Sequence, residues 1–431
     1  MKPAPRLLIA DNMGNITTHP RLKLAADRGG RLFSPDWNEL VPLPDESELF
    51  FLPGRRAIGL NPSNAKMEIA DGLAVAAFAA PGYTLSATPA YAKDEDAPVL
   101  PLFAYGSAGY SRGKIWICAS RVDEDRRQIF SGVPRGKIER EARRLLKEYP
   151  DNRLINHIIL NCVREYACPA ARNFALGRYE APLPTSRACD ARCVGCISQI
   201  QEQGAAKVTP QCRLAFVPTA EEVTEVMRVH ASREKVRPVF SFGQGCEGDP
   251  LANAGLLRES IELYRSYGGK GTINCNTNAS NTEAVAELCD AGLTSLRVSL
   301  NSSIPEQYEA YYRPVNYSFD DVRRSIAAAR KKGVFVSLNL LYFPGITDTE
   351  PELRSLANLC AEGGVSMIQW RNLNIDPGWY QNYMADLAPT SPAMGFNSFA
   401  RALRESCPWL RYGYFNPWLG ERAEIIAPAL V

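Results

Sequence analysis

Histidine is scarce in this chain, which has only His19, His157 and His230 among 431 residues. The three stand far apart and match no ligand spacing, which argues against a histidine-based metal centre. The sequence also lacks an apolar run near the ~18 residues that a membrane helix needs. Its formal net charge is only +2, and it has no run of like charge that could track a phosphate backbone. Neither a membrane nor a nucleic acid is therefore indicated as a partner.

The N-terminus shows no secretion signal. The stretch MKPAPRLLIADNMGN reaches the charged Asp11 after only four apolar residues, which is too short for a signal sequence. We therefore expect a cytoplasmic protein, in which the 12 cysteines are kept reduced. Clustered cysteines in such a protein bind metal or do redox chemistry more often than they form disulfides.

A regular alternation of short apolar runs and amphipathic stretches extends from about residue 181 to 378. This pattern predicts βα units with a parallel sheet, and its strands are rich in Val, Ile and Phe. Six units are too few for a closed eight-unit barrel, so we predict an α/β fold with a partial, open (β/α)6 barrel. The predicted strands are 182–187, 237–243, 271–276, 295–300, 334–343 and 366–372.

The residue pattern of the chain changes outside these units. Before them, short segments punctuated by Pro and Gly predict a mostly β accessory domain at 1–175, with one helix near 137–149. The barrel is predicted at 176–378. A short aromatic-rich extension, 379–431, ends in NPWLGERAEIIAPALV.

Several predicted barrel helices carry start signals. A Thr or Ser followed three residues later by an acid predicts a capping box, in which side chains satisfy free amides of the first turn. On the helix after Thr219, His230 shares a buried face with apolar residues and is interpreted as a core histidine. The three predicted boxes are Thr219 with Glu222, Ser318 with Asp321 and Thr349 with Glu352.

The stretch RACDARCVGCIS places Cys189, Cys193 and Cys196 in a C-x3-C-x2-C spacing, in the loop after the first barrel strand. Structural zinc usually takes ligands in two pairs, and the sequence has no second C-x2-C. A disulfide framework is disfavoured by the expected compartment. An iron–sulfur cluster with three protein thiolates is the remaining interpretation, and it leaves one iron open to a small ligand.

This motif and its βα surroundings resemble the radical S-adenosylmethionine (radical SAM) enzymes, over roughly residues 181–378. In that family the three cysteines hold a [4Fe–4S] cluster, and S-adenosylmethionine chelates the fourth iron. One electron then cleaves the sulfonium to a 5′-deoxyadenosyl radical, which abstracts hydrogen from a substrate. The residue before the last cysteine is usually aromatic in the family and is Gly195 here. A ring that shields the cluster is therefore expected from elsewhere.

The resemblance also implies residues that bind S-adenosylmethionine at the ends of the strands. CEGDPL resembles the family's Gly-Gly-Glu-Pro turn, with Glu247 as an alternative acid, although the turn is also explained by glycine at positive φ. Strand-end Asn and Ser are common turn formers as well. The implied binding residues are Gly248, Asp249, Asn276, Ser299 and Asn301.

Other residues are candidates for substrate chemistry. Arg371, and after it Arg313, can grip an anionic substrate, and a structural salt bridge is the alternative. Cys275 and Cys246 lie near the predicted barrel mouth and are candidate hydrogen or thiol donors, although packing is the favoured explanation for both. A possible second cluster draws on Cys162 and Cys168 together with Cys118 or Cys212.

Taken together, the sequence predicts an oxygen-sensitive radical SAM enzyme that receives electrons from a flavodoxin-like or ferredoxin-like donor. A small-molecule substrate is favoured over a peptide, because the cysteine-rich extension of peptide-modifying relatives is absent and only Cys407 follows the barrel. RNA is disfavoured by the near-neutral charge. The alternative is a non-catalytic iron–sulfur sensor or a zinc-binding protein.

Overall fold

The computed structural model describes residues 4–201, 204–205, 207–387 and 391–420. Its N-terminal part is mostly β, as predicted. In the described chain a nine-stranded antiparallel sheet follows the order β10-β6-β2-β1-β7-β11-β12-β5, with β8 paired to β12, and β4-β3-β9 form a small second sheet. The strands are β1 Arg6–Ala10, β2 Ile16–Leu24, β3 Ala26–Arg28, β4 Arg31–Phe33, β5 Leu40–Pro42, β6 Glu48–Leu60, β7 Met67–Phe78, β8 Tyr83–Leu85, β9 Thr88–Pro89, β10 Tyr91–Lys93, β11 Gly106–Ser111 and β12 Lys114–Arg121.

The second part is the predicted partial barrel. All its strand pairings are parallel and run in chain order, as βα units require. The six predicted strands are present, and a short seventh strand that the sequence did not suggest pairs with the sixth. The barrel strands are β13 Glu180–Leu183, β14 Val239–Phe242, β15 Thr272–Thr277, β16 Ser295–Leu300, β17 Phe335–Tyr342, β18 Met367–Asn372 and β19 Arg411–Gly413.

Helices cover the outside of the barrel and also precede it. A π-helix at Ile158–Glu165 follows α2, and short 3-10 turns occur at Trp37–Glu39 and Pro250–Asn253. The α-helices are α1 Arg135–Glu148, α2 Arg153–His157, α3 Pro169–Leu176, α4 Ala220–Arg233, α5 Ala254–Ser266, α6 Thr282–Ala291, α7 Pro305–Tyr312, α8 Phe319–Lys331, α9 Glu350–Gly363, α10 Pro377–Tyr383 and α11 Phe396–Ser406.

Helices α1 to α3 belong to the barrel's hydrophobic core rather than to the β sheet. Leu145 of α1, Leu154 of α2 and Phe174 of α3 are fully buried in one cluster with barrel residues such as Val226 of α4. The predicted boundary at 175 therefore falls after helices that already pack on the barrel. The division into 1–175, 176–378 and 379–431 stays a prediction.

Two of the three predicted capping boxes are present, at Thr219 with Glu222 and at Ser318 with Asp321. The third prediction, at Thr349, was wrong. Glu352 is buried and turns to the neighbouring loop, where it accepts hydrogen bonds from the Ser303 amide and hydroxyl, both at 2.7 Å. A tertiary contact has replaced the local cap.

The β domain is fixed to the barrel by buried polar contacts. Arg55 of β6 and Asp376, the N-cap of α10, form an ion pair at 2.8 Å with 0% and 1% of their side chains exposed. The Leu100 amide donates to the same carboxylate at 2.8 Å. At another point Gly29 and Gly345 approach so closely that a Cβ on Gly345 would lie 2.1 Å from the Gly29 nitrogen. The two parts therefore share a closely packed boundary.

The segment after β19 crosses the open side of the barrel. The Asn416 side chain donates to Glu180 of β13 at 2.8 Å and to the Ser241 hydroxyl of β14 at 3.1 Å, and accepts from Gln369 of β18 at 3.1 Å. The first and sixth strands are thereby bridged through the barrel interior. The end of the aromatic-rich extension, 421–431, lies outside the described residues. Within the described ranges, no helix combines the length and apolar character that crossing a membrane requires.

Candidate active site

The C-x3-C-x2-C motif lies in the loop between β13 and α4, and other parts of the barrel hold that loop from two sides. The Val194 amide donates to the Tyr311 carbonyl of α7 at 3.0 Å, and the Asp249 amide donates to the Ala188 carbonyl at 2.8 Å. These bonds satisfy backbone groups that a free loop would leave to water. The cysteines therefore follow a fixed path between α7 and the turn after β14.

The thiols of Cys189, Cys193 and Cys196 line one cavity of about 390 Å³, here called the cysteine cavity. Burial raises the pKa of Cys189 to about 12. The pKa of Cys193 lies well above its usual range because of burial and then the charges of Cys189 and Cys196. Three ionised thiols this close together require a cationic partner. The donor set thus fits an iron–sulfur cluster held by three thiolates.

The missing ring at Gly195 is replaced by a residue from α7. A Cβ on Gly195 would lie 2.8 Å from the hydroxyl of Tyr311, so the tyrosine occupies the space that a side chain at 195 would take. Tyr311 is 4% exposed and lines the cysteine cavity beside Cys193 and Cys196. An aromatic side chain is therefore present at the thiols, supplied from elsewhere as the sequence led us to expect.

Glu247 joins the loops that follow β13 and β14. One carboxylate oxygen accepts from the amides of Thr185 at 2.7 Å and Ser186 at 2.9 Å, and the other accepts from those of Gly243 at 2.9 Å and Gln244 at 2.7 Å. Burial raises the pKa of Glu247 to about 7, and the amide bonds oppose that shift. Its oxygens are committed to the backbone, so Glu247 positions the turn.

Gly248 and Asp249 line the cysteine cavity, as the resemblance implied. Gly248 has no positive φ; glycine is required because a Cβ would lie 1.8 Å from the Ala188 carbonyl oxygen. The Asp249 carboxylate accepts from the Thr277 hydroxyl at 2.7 Å and the Asn278 amide at 2.7 Å. The turn is therefore packed directly on the cysteine loop.

The strand-end polar residues separate into two groups. Asn276 and Ser299 line a second cavity of about 450 Å³, which adjoins the first and is here called the lumen cavity. The Asn276 side chain donates to the Phe242 carbonyl at 2.9 Å. Asn301 does not line either cavity: it is 3% exposed and donates to the Gln307 carbonyl at 3.1 Å. The structure therefore gives no support to Asn301 as a cofactor-binding residue, because its side chain ties together the β16–α7 connection.

Two arginines face both cavities. Arg371 of β18 was expected from the sequence, and its guanidinium lies 3.7 Å from the ring centroid of Tyr414. Arg297 of β16 was missed; it donates to the Asn339 side chain at 2.6 Å. Burial, and after it the positive charge of Arg371, lowers the pKa of Arg297 to about 9. A guanidinium inside the apolar run SLRVSL was the signal that could have identified it.

Each arginine has a buried Nε atom that makes no hydrogen bond to any described residue. Arg313, the other sequence candidate, ends α7 in a left-handed conformation and does not line the cysteine or lumen cavity. The anion-binding candidates of the structure are thus Arg297 and Arg371.

The remaining cysteine predictions are only partly supported. Cys275 is fully buried in β15 and lines neither cavity, so the structure gives it no access to a substrate. Cys118 packs in a core cluster of the β domain, whereas Cys162 packs in the core of the barrel, so the structure gives no support to grouping them. Cys246 instead contacts Cys162, with 3.6 Å between the sulfur atoms. Cys212 is exposed.

The β domain contributes to the mouth of the cysteine cavity. Phe78, the last residue of β7, and Ala79 are among its lining residues. Phe78 stacks on Phe103 with 4.4 Å between ring centroids. Because β8 is bonded to Asn372 of β18 through the Leu85 amide at 2.8 Å, this edge of the β domain is held over the barrel. The accessory domain therefore helps to enclose the site.

Residues 183–357 match the family model of the Radical SAM superfamily. This segment is a radical SAM domain. Members of this superfamily are enzymes that use a [4Fe–4S] cluster and S-adenosylmethionine. The thiols, the packed turn and the arginines described above all lie in or beside this domain.

Curated relatives match part of this chain at low identity. The chain is 29% identical over 204 residues to the GTP 3′,8-cyclase of Paenarthrobacter nicotinovorans, covering 46% of this chain and 53% of that protein. It is 26% identical over 178 residues to the GTP 3′,8-cyclase of Rhizobium etli, covering 39% and 45%. The chain thus spans about half the length of these relatives. The maturase of the [FeFe]-hydrogenase superposes with a TM-score of 0.38 at 18% identity, over 66% of each chain.

Proposed function

We propose that this protein is a radical SAM enzyme acting on a small anionic substrate. One observation carries the proposal: the three motif thiols share a cavity with the Gly248 turn, and that cavity adjoins a second one that contains Arg297 and Arg371. Cluster, cofactor and substrate would then occupy neighbouring positions at the C-terminal ends of the barrel strands, where barrel enzymes place their sites. In this proposal Cys189, Cys193 and Cys196 hold the [4Fe–4S] cluster.

When bound, the cluster would supply the electron for reductive cleavage of the sulfonium of S-adenosylmethionine, the chemistry by which this class of enzyme abstracts hydrogen from a substrate. The residues of the chain bind and orient the cofactor and the substrate. The backbone of Gly248 lies open to the cysteine cavity for the methionine end, while Asn276 and Ser299 offer polar groups in the lumen cavity. Tyr311 excludes water from the thiols, and Glu247 and Asp249 keep the turn in place.

The substrate class follows from the arginine pair. Two neighbouring, half-buried guanidiniums repel each other, and a phosphate or carboxylate between them relieves this repulsion and offers an acceptor to the Nε–H group that each leaves without a partner. The named relatives include GTP 3′,8-cyclases, whose names specify a phosphorylated small molecule. A lumen cavity of about 450 Å³ is of the size that encloses a small ligand.

The proposed enzyme requires an external electron donor, and a flavodoxin-like or ferredoxin-like protein suits that role. The cytoplasm is the proposed compartment, because the cluster thiols must stay reduced. Oxygen sensitivity follows from an iron–sulfur cluster with one open iron.

The class of activity is tested without knowing the substrate. Reconstituted protein treated with a strong reductant and S-adenosylmethionine under nitrogen is expected to form 5′-deoxyadenosine and methionine, measured by mass spectrometry. The Cys193→Ala variant is the control, because it lacks one of the three thiols. If iron-replete wild-type protein forms no more 5′-deoxyadenosine than this control, the proposed enzyme activity is contradicted and the sensor alternative is favoured.

The arginine pair is tested with inorganic pyrophosphate as the anion. We expect pyrophosphate to raise the melting temperature of the wild-type protein, and we expect Arg371→Gln to bind it about tenfold more weakly, since a hydrogen bond to a charged group contributes about 1.5 kcal/mol or more. The matched control is Arg323→Gln, which removes an exposed arginine of α8. Equal weakening in both variants, or no shift in the wild type, would contradict an anion site at Arg371.

A further inference from the structure

A second group of metal-binding side chains lies outside the cavities described above. One ring nitrogen of His157 and the sulfurs of Cys162 and Cys246 all lie within 4.8 Å of one another. His157 ends α2, Cys162 lies on the π-helix, and Cys246 belongs to the turn after β14. The two cysteines are 2% and 4% exposed. We call these three residues the His-Cys-Cys group.

The distance between the two sulfurs suits a single metal ion. With Zn–S bonds of about 2.3 Å, two thiolates on a tetrahedral ion lie roughly 3.8 Å apart. The observed distance between the sulfurs of Cys162 and Cys246 is 3.6 Å. A disulfide needs a sulfur separation of about 2.05 Å. The two side chains are therefore spaced as neighbouring corners of one zinc tetrahedron.

The local backbone explains how two of the ligands come together. His157 and Cys162 are five residues apart, and in an ordinary α-helix such residues point in different directions. The segment from Ile158 to Glu165 is a π-helix, whose wider turn is closed between residues i and i+5. Single π turns occur frequently at functional sites. The irregular turn thus brings an imidazole and a thiol to one face of the helix.

The imidazole of His157 also has a free nitrogen. Its Nε2 atom is buried and has no hydrogen-bond partner among the described residues. His230 also leaves one ring nitrogen, Nδ1, without a partner, but its Nε2 lies 3.2 Å from the Tyr179 carbonyl oxygen, and among the described residues it belongs to no group of metal-binding side chains. Buried polar atoms without partners are uncommon in native proteins, and at His157 the free nitrogen belongs to a ring that lies beside two thiols.

The charge of the group also favours a divalent ion. Zinc binding displaces the protons of both thiols and leaves the imidazole neutral. Two thiolates and Zn²⁺ then have no net charge, which suits a buried location. Three protein ligands leave the fourth corner of the tetrahedron to water.

We propose that His157, Cys162 and Cys246 bind one Zn²⁺, which clamps the helices before the barrel to the turn that carries Gly248 and Asp249. The site is independent of the proposed radical chemistry. Its effect is structural: it fixes the turn after β14, whose residues Gly248 and Asp249 line the cysteine cavity. Cys246 is thereby a ligand rather than a hydrogen donor.

The test uses the full chain with Cys189, Cys193 and Cys196 replaced by Ser, so that cluster iron does not interfere. After addition of ZnCl₂ and desalting under nitrogen, we expect one zinc per chain by plasma mass spectrometry. Substituting Co²⁺ is expected to give the visible absorption of a tetrahedral ion with thiolate ligands. Adding His157→Ala or Cys162→Ser to this background is expected to lower bound zinc at least fivefold.

The matched control is Cys407→Ser, which changes another buried thiol away from the group. Circular dichroism checks that every variant folds, and the cobalt spectrum of the parent protein supplies an answer that needs no variant. Three outcomes would overturn the proposal: no zinc in the folded parent protein, equal zinc loss in the Cys407 control, or a Cys162–Cys246 disulfide that forms in freshly reduced protein in place of metal binding.

Discussion

The two thiol groups of this protein both adjoin the turn after β14, but they are assembled from the sequence in opposite ways. Cys189, Cys193 and Cys196 come from eight consecutive residues and face an open cavity. Cys162 and Cys246 are 84 residues apart, and both are buried. The first group is defined by local spacing, whereas the second exists only because the barrel folds. Spacing in a sequence therefore detects sites that remain local and misses those that tertiary packing creates.

The largest effect is expected from the turn that both groups share. In Gly248→Val the added Cβ would meet the Ala188 carbonyl oxygen at 1.8 Å, and backbone cannot move aside as a side chain can. We expect a loss of about 3 kcal/mol in unfolding free energy. We also expect lower iron content and lower zinc content, measured on the same reconstituted sample.

Gly255→Ala is the control for this substitution. Gly255 lies in α5, and a Cβ there meets no atom within 4 Å. We expect this change to raise the unfolding free energy by about 0.5–1 kcal/mol, because Ala is the better helix former. If Gly248→Val kept full iron and zinc, the turn would not couple the two groups.

A smaller effect is expected from His230, whose Nε2 lies 3.2 Å from the Tyr179 carbonyl oxygen. Burial lowers the pKa of His230 to about 4, below its unfolded value of 6.5. The unfolded state therefore binds more protons in this range, and the contribution is fully present above pH 6.5 and lost as pH falls toward 4. Between pH 7 and 5 this amounts to about 2 kcal/mol. His230→Gln should remove that part of the pH dependence, measured as the difference between urea titrations of variant and wild type.

The same substitution distinguishes the role of His230 in pH-dependent stability from the proposed role of His157 in zinc binding. His230→Gln should leave zinc binding by the His-Cys-Cys group unchanged, because His230 already has a backbone partner and is not a member of that group. If the wild type and the variant lost stability equally between pH 7 and 5, another group would account for the titration.

The smallest effect concerns the ring beside the motif thiols. Gly195→Phe should destabilise the protein because its side chain meets the Tyr311 hydroxyl. Tyr311→Ala in the same chain should restore space for the new ring. We expect a coupling of about 1 kcal/mol between the two changes in a double-mutant cycle of unfolding free energies. Iron retention in the double variant should exceed that in Gly195→Phe alone, and strictly additive effects would show that the two side chains do not compete.

Much of the barrel could be predicted from its sequence, because buried parallel strands are short apolar runs and helix starts carry caps. The exceptions have physical causes. Glu352 was expected to cap α9 but is drawn away by Ser303, a contact that no local pattern reveals. The strand β19 has three residues and pairs with β18 across an intervening stretch of almost forty, so no periodicity indicates it.

The site was predictable to a similar extent. The residues of the thiol loop and the Gly248 turn were predicted because spacing and strand context coincide, and the structure brings them to one cavity. Asn301 was chosen because it follows a strand, but it lies beyond the end of β16, and its side chain donates to the Gln307 carbonyl instead of lining the cavity that Ser299 lines. Arg297 was missed because a charged residue inside an apolar run was read only as part of the strand.

The Arg55–Asp376 pair sets a limit on how this protein can be divided for study. A barrel expressed without its first 130 or so residues would keep Asp376 but lose both the guanidinium and the Leu100 amide that bind it. An uncompensated buried charge costs about 3–5 kcal/mol, a large part of a typical domain's stability. Chimeras that graft this β domain onto another barrel must therefore transplant Asp376 with it. For crystallisation, labelling or domain exchange, the β domain and the barrel should therefore be kept together as one unit.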